Sequence, residues 1–286
     1  ALLEEACDKL VLEAGVGGIH DSTNFFTDEL ELAVVTSISL DHTALLGDTL
    51  TEIATNKAGV LRPHTKAVTP STQPVEVLAA LQREADRVGA ELIIVDCAGT
   101  SEWDTKRENR LLAAKACSLL NVEADFSSSR WPARFEEIQV HGRLVIVDAA
   151  HNGDSVAKFL EAAHMNFPST EFTVVFGCGA EKEGLGDMVA AVRPFSENVV
   201  CVEAGSSFAD RPLPPSKRGE PAPLLAARVG SKHASSVAAA LSNSAGPVLV
   251  CGSVYVAGEA REWCVAEDPS CLPVDDWAFT LRDDMF

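Results

Sequence analysis

Short apolar runs of strand length alternate along the chain with longer stretches in which apolar residues recur at helical spacing. Residues 9–12, 33–38, 66–68 and 92–95 form the first set of runs, each bounded by polar or turn-forming residues, and predict strands. Between them, 74–88 places Val77, Leu78, Leu81, Ala85 and Val88 on one helical face, with Gly89 where a C-cap belongs. A further helix is predicted over 105–120. The polar stretch 121–130 that follows contains Ser127, Ser128 and Ser129 and marks a domain boundary. After it the alternation restarts, with strands expected at 144–147, 173–176, 199–202 and 248–251, all but one followed by a helical pattern. The exception, 211–223, is rich in proline and charge and predicts a surface loop. No internal repeat is present. Alternating strands and helices point to parallel sheets, so the pattern predicts two α/β domains, 1–125 and 126–286.

Composition agrees with that count: 286 residues, 47% hydrophobic, supply enough apolar surface for two cores. The 42 acidic against 23 basic residues, a formal charge of −19, argue against nucleic acid and against an anionic membrane as partners. ATP remains compatible, because a metal ion and a few local donors set the potential that a phosphate feels. The eight cysteines form no C-x-x-C pair and lie mostly in apolar runs, which predicts reduced, buried thiols. No apolar run has membrane-spanning length, and the N-terminus has no signal-peptide pattern. A cytoplasmic protein is expected, and a mitochondrial or plastid targeting segment would precede Ala1. Because the chain starts at Ala1 and runs into an apolar, buried-looking strand, a fragment lacking its natural start is expected.

In open parallel sheets ligands bind beyond the carboxyl ends of the strands, so the polar residues after each strand carry most weight. Residues 10–12 lead into Glu13 and then Gly15-Val16-Gly17-Gly18, Asp21, Thr23 and Asn24, while 34–38 lead into Asp41-His42-Thr43. If the two strands are neighbours, Glu13 and His42 share a crevice where a divalent ion could sit, and the glycines would admit a phosphate close to the backbone. Either fragment alone reads equally well as a turn cap or a loop histidine. Asp48 or Thr49 can cap a helix that ends near Lys57, with Gly59 as its C-cap. A lysine in a last helical turn also simply complements the helix dipole.

These segments, Glu13-Ala14-Gly15-Val16-Gly17-Gly18 with Asp21-Ser22-Thr23-Asn24, then Thr36 to Thr43, Leu46-Gly47-Asp48-Thr49 and Asn56-Lys57-Ala58-Gly59-Val60, resemble the folylpolyglutamate synthase and dihydrofolate synthase family of the Mur ligase group. Trp131-Pro132-Ala133-Arg134-Phe135, Val147-Asp148-Ala149-Ala150-His151-Asn152 and Gly252-Ser253-Val254-Tyr255 continue the resemblance. It implies the remainder of a P-loop-type parallel-sheet ATPase domain followed by a Rossmann-like C-terminal ligase domain. It also implies that Glu13 and His42 hold Mg2+, and that Lys57 is carbamylated and helps hold a second metal. Arg134, Asp148 and Asn152 would contact the nucleotide; His151 would stand beside the reacting groups, and His151 and Ser253 would meet the incoming glutamate. The implied reaction activates a folate γ-carboxylate with ATP and joins it to the amine of L-glutamate, in a monomer whose partners are small molecules. A muramyl-type ligase and a non-catalytic scaffold are the alternatives.

Three positions depart from the family pattern. Ile19 stands where an arginine is usual, Glu181-Lys182-Glu183 replaces Asp-Lys-Asp, and Ala149 replaces a glycine. Loss of the arginine removes a permanent charge and a donor fork. Moreover, no G-x-x-x-x-G-K-[ST] segment occurs, so the chain alone is not expected to turn over ATP.

Overall fold

The computed structural model describes residues 9–25, 30–97, 105–126, 131–180, 184–205 and 219–273. The chain divides into two compact units, Ala1–Ser127 and Ser128–Phe286. The serine run 127–129, the acidic substitution 181–183 and most of the expected loop at 211–223 lie outside the described residues. No helix among the described residues is long and apolar enough to cross a membrane.

In the first unit, β1 (Leu32–Val34), β2 (Lys66–Pro70) and β3 (Glu91–Val95) form a parallel sheet in sequence order. Between β1 and β2 lie α1 (Thr43–Leu46) and α2 (Leu50–Lys57); α3 (Val75–Val88) links β2 to β3, and α4 (Thr105–Leu120) follows. Helix α3 matches its apolar pattern, burying Val77, Ala80, Leu81 and Ala85, and stops at Gly89 in the left-handed conformation (φ 77°). These side chains share a core with Ile53 and Ala54 of α2 and Ala33 and Ala67 of the sheet. Helix α2 starts at Thr49, whose hydroxyl accepts the Glu52 N–H while the Glu52 carboxylate accepts the Thr49 N–H. Such a reciprocal cap stabilises a helix by about 1 kcal/mol.

Two expectations fail here. Residues 9–12 form no strand: Leu10, Val11 and Leu12 are 45%, 93% and 43% exposed. What fixes their start is the ion pair of Lys9 with Glu31, just before β1. Gly59 is not a C-cap. The chain leaves α2 through Ala58 and continues as a 3-10 turn over Ala58–Val60.

The second unit has β4 (Glu136–Val140), β5 (Arg143–Val147), α5 (Gly153–Asn166), β6 (Thr173–Phe176), α6 (Leu185–Val192), β7 (Val199–Cys201), α7 (Ala222–Val229), β8 (Lys232–His233), α8 (Val237–Ser242), β9 (Val248–Cys251) and α9 (Val254–Glu267). Its sheet runs β4-β5-β9-β6-β7-β8, parallel except for β4, which pairs antiparallel with β5. The strand period of two sends Val145, Val147, Val248 and Val250 into one core with α8 and α9, and Ile146, Leu249, Phe176 and Cys251 into another with α5, α6 and α7. Strands buried on both faces explain the continuous apolar runs in the sequence.

Candidate functional site

The glycine-rich segment of the first unit is packed against protein. A Cβ on Gly17, which is left-handed at φ 71°, would lie 2.5 Å from Asn56 Oδ1 and 2.7 Å from Leu46 Cδ2. One on Gly18 would lie 2.5 Å from the Lys57 carbonyl oxygen. The Gly18 N–H donates to Asn56 Oδ1 at 3.2 Å, and the Ile19 N–H to the Asn56 carbonyl at 3.1 Å. Gly59 reciprocates, since its Cβ would fall 2.7 Å from the Ile19 nitrogen. Gly17 and Gly18 therefore admit α1 and the end of α2 to the turn, a packing reason for glycine that is separate from the expected approach of a phosphate. Ile19 keeps a backbone role while its side chain is 45% exposed.

That turn joins three predicted site residues by their segments. Glu13 precedes it and is exposed, half-buried His42 is the left-handed N-cap of α1 (φ 51°), and half-buried Lys57 ends α2. Among the described residues no three His, Cys, Asp or Glu side chains converge as a metal cage. Residues 9–12 form no strand beside β1, so the condition for a strand-end crevice shared by Glu13 and His42 is not met; the exposed Glu13 carboxylate is the kind of oxygen donor that Mg2+ takes together with several waters. Lys57 as an ammonium cannot ligate; as a carbamate it could.

Three anchors were not foreseen. Asp21 accepts from the Val16 N–H (2.8 Å), the Thr23 N–H (2.9 Å) and the Thr23 hydroxyl (2.6 Å). These bonds, the Thr23 hydroxyl first, hold its carboxyl down to about 2. Arg62 donates to the carbonyls of Gly59 and Leu61, both at 2.9 Å, and to Asn24 Oδ1, fastening the far side of the turn. Buried Gln73 tethers the segment before His42, accepting from the Ile38 N–H and donating to the Thr36 carbonyl, both at 2.9 Å.

The second unit gathers the rest at the carboxyl ends of β5 and β9. These strands are neighbours, yet α5 leaves β5 towards one face of the sheet and α9 leaves β9 towards the other. Divergence of this kind at neighbouring strand ends marks the usual ligand position in this architecture. Asp148, His151 and Asn152 follow β5, and Ser253 follows β9. The Gly252 N–H donates to the Ala150 carbonyl at 2.8 Å, which ties the two strand ends together. Gly252 has φ 106°, and its Cβ would lie 2.5 Å from the Gly177 carbonyl oxygen after β6, so only glycine fits.

Each polar side chain has a local bond as well. Asn152 caps α5 in a reciprocal pair with Ser155, accepting its N–H at 2.8 Å. Ser253 caps α9, accepting the Tyr255 N–H at 3.2 Å. His151 Nδ1 lies 2.9 Å from the Ala149 carbonyl; a carbonyl only accepts, so Nδ1 carries the proton and Nε2 is the acceptor of the neutral ring. Asp148 Oδ1 accepts from the Ala150 N–H at 2.8 Å and Oδ2 from the Phe135 N–H at 2.6 Å. Ala149 is not left-handed, so this position does not demand the glycine of the family pattern.

Arg134 is exposed on a turn whose two neighbours, Ala133 (φ 53°) and Phe135 (φ 45°), are both left-handed. That conformation costs on the order of 1–2 kcal/mol per residue outside glycine. Hydrogen bonds to charged groups, worth roughly 1.5–3 kcal/mol each, offset it: Phe135 N–H to Asp148, and Ala133 N–H to Glu136 Oε2 at 2.8 Å. The Ala149 N–H donates to the Ala133 carbonyl at 2.9 Å and attaches the turn to the end of β5.

The profile of the Mur ligase glutamate ligase domain matches residues 133–254. The dihydrofolate synthase/folylpolyglutamate synthase of Bacillus subtilis is 31% identical over 214 residues, covering 61% of this chain and 49% of that protein. The folylpolyglutamate synthase of Lacticaseibacillus casei is 27% identical over 297 residues, 89% of this chain and 66% of that one. The chain thus spans about half to two thirds of these relatives. Escherichia coli FolC in complex with DHPP and ADP superposes with a TM-score of 0.71 at 24% identity, covering 88% of this chain and 65% of that chain. The Mycobacterium tuberculosis folylpolyglutamate synthase complexed with ADP and AMPPCP gives 0.69 at 22%, covering 88% and 67%. The profile makes residues 133–254 a Mur ligase glutamate ligase domain, and relatives and fold agree with the motif series in likening the rest of the chain to folylpolyglutamate synthases and dihydrofolate synthases.

Proposed function

We propose that this chain carries part of the active site of an ATP-dependent ligase that adds L-glutamate to folate through an acyl phosphate. The observation that supports it best is the divergence of α5 and α9 from the neighbouring ends of β5 and β9, with Asp148, His151 and Asn152 after one strand, Ser253 after the other and Arg134 on the attached turn. Arg134 would pair with phosphate oxygens, and the carboxylate of Asp148 would accept from ribose hydroxyls. Asn152 caps α5 and would keep the nucleotide near that helix start. His151, with its proton held on Nδ1 by the Ala149 carbonyl, would offer Nε2 to the ammonium of glutamate as the amine is released for attack. Ser253 would donate its hydroxyl hydrogen to a glutamate carboxylate while its oxygen accepts from Tyr255.

In the first unit Glu13 and His42 would hold Mg2+, and carbamylated Lys57 would add a carboxylate for a second ion. Magnesium, when bound, neutralises the triphosphate and the charge that develops on transfer. The ADP, AMPPCP and folate named with the related structures fit this reading. A monomer acting on small molecules in the cytoplasm is the simplest setting for it.

The test follows ADP release with ATP and glutamate, offering folyl-glutamate or a muramyl precursor. Having no G-x-x-x-x-G-K-[ST] segment, this chain alone should give negligible release but show MgATP-dependent shifts of the Asn152 and Ser253 amides. Robust turnover by the chain alone would refute the account of the phosphate loop, and unmoved amides would refute nucleotide binding at these strand ends. In 13C-bicarbonate, a carbamate carbon resonance absent from Lys57→Arg is expected; its absence from the unmodified chain would remove Lys57 from the metal site.

A further inference from the structure

We propose that Glu136, held by Arg261, is a positioning residue that sets the backbone around Arg134 so that its guanidinium is presented to phosphate. Glu136 opens β4, an edge strand, and its side chain is only 14% exposed. Its Oε2 accepts two bonds, from the Ala133 N–H at 2.8 Å and from Arg261 Nε at 2.9 Å. Arg261 lies on α9, and its side chain is 10% exposed. A carboxylate on an edge strand has water available to it; here the oxygen is turned inward onto the turn's own N–H. The turn it holds is the strained one, with left-handed residues on both sides of Arg134.

Two carboxylates therefore grip the two residues that flank Arg134, Glu136 at Ala133 and Asp148 at Phe135. Without the first grip, Ala133 can relax towards the ordinary α or β regions, which would turn the Arg134 side chain away from its present direction. Arg261 gives the grip a fixed orientation: its guanidinium holds the Glu136 carboxylate from the helix that Ser253 caps. The same helix would therefore orient a glutamate-side and a phosphate-side residue. Nothing in the spacing of residues 133, 136 and 261 announces this; the fold brings them together.

The inference rests on the reading that Arg134 meets the phosphates of ATP, and the experiment separates the two. MgATP binding to this chain is titrated for Arg134→Ala, Glu136→Ala, Glu136→Gln and the Arg134→Ala/Glu136→Ala double variant. Amide exchange at Ala133 and Phe135 is measured without nucleotide. Arg134→Ala should weaken binding about tenfold or more, the scale of one lost charge-assisted contact. Glu136→Ala should quicken exchange at Ala133 and weaken binding several-fold, while adding nothing in the double variant, because its effect passes through Arg134. Glu136→Gln, which keeps the acceptor oxygen, should retain most of the binding and guards against a variant that fails to fold. Multiplying effects in the double variant, or unchanged Ala133 exchange in a folded Glu136→Ala protein, would overturn the positioning role alone. If Arg134→Ala binds MgATP normally while exchange responds as expected, the phosphate reading of Arg134 falls and takes the proposed purpose of Glu136 with it.

Discussion

At the scale of single residues, glycine and aspartate do the least visible work in the first unit. Gly18 faces the carbonyls of Asn56 and Lys57, and Gly59 faces the backbone of Ile19, so a methyl group at either meets backbone atoms that cannot rotate away. Gly18→Ala should lower the stability of the first unit by roughly 1–3 kcal/mol, as overpacking does, measured as a lower urea midpoint. Gly258→Ala, in the interior of α9 with nothing within 4 Å of the added methyl, should raise stability by about 0.5–1 kcal/mol. Asp21 makes a pH prediction. Its carboxyl is lowered from 3.8 to about 2, so the folded state favours the charged form. The stabilisation is complete above the unfolded value and disappears as pH falls through about 2. Amide resonances of Val16 and Thr23 should report the turn opening between about pH 4 and about pH 2, and Asp21→Asn should abolish that transition. An unchanged transition in the variant would assign it to another group. None of this was legible beforehand: the sequence shows glycines and an aspartate, and only the approach of α2 shows what they are for.

At the scale of elements, caps and sites share atoms. Ser253 caps α9, and serine to alanine at a cap costs about 1 kcal/mol while serine to glycine costs only a few tenths. If Ser253 also meets glutamate, Ser253→Ala and Ser253→Gly should raise the glutamate KM of the active ligase alike, whereas their melting temperatures should differ. A KM that tracks stability would reduce Ser253 to a cap. The elements most readable in the sequence were those with a long period or buried faces. Helix α3 carries its apolar stripe and Gly89, α4 keeps its expected bounds of 105–120, and β5, β6 and β9 are apolar runs. Residues 9–12 misled because an apolar run predicts a strand only where another strand can pair with it, and none does among the described residues. The edge strand β4 was missed because its alternation is short and charged, and β8 has only two residues. In the site, the positions after β5 and β9 came from the motif resemblance, and their place at strand ends is where this architecture puts ligands. The left-handed turn at Ala133 and Phe135 was not readable, since neither residue type signals positive φ.

For the molecule as a whole, the two units differ in how completely they cover their sheets. Both faces of the second unit's six-stranded sheet carry helices, and most of its strand residues are buried. The first unit's three-stranded sheet has one well-formed core with α2 and α3, yet Val34 and Ile94 within its strands are 46% and 49% exposed, as is much of 9–12. Apolar burial stabilises by about 25 cal/mol per Å², so the unit that buries its strands on both faces should be the more stable. Residues 128–286, produced alone, should fold, give a native-like far-UV spectrum and unfold cooperatively in urea. Cys251, fully buried with its thiol pushed up by desolvation, and Cys264, pushed up to about 12 for the same first cause, should resist alkylation near neutral pH until that transition, so thiol reactivity times the opening of this unit. In the whole chain, exchange of the α2 and α3 amides should accelerate at lower urea than the loss of those thiols' protection. Simultaneous loss would mean that the two cores open as one unit, and early alkylation of Cys251 would mean that the second sheet is not the stable one.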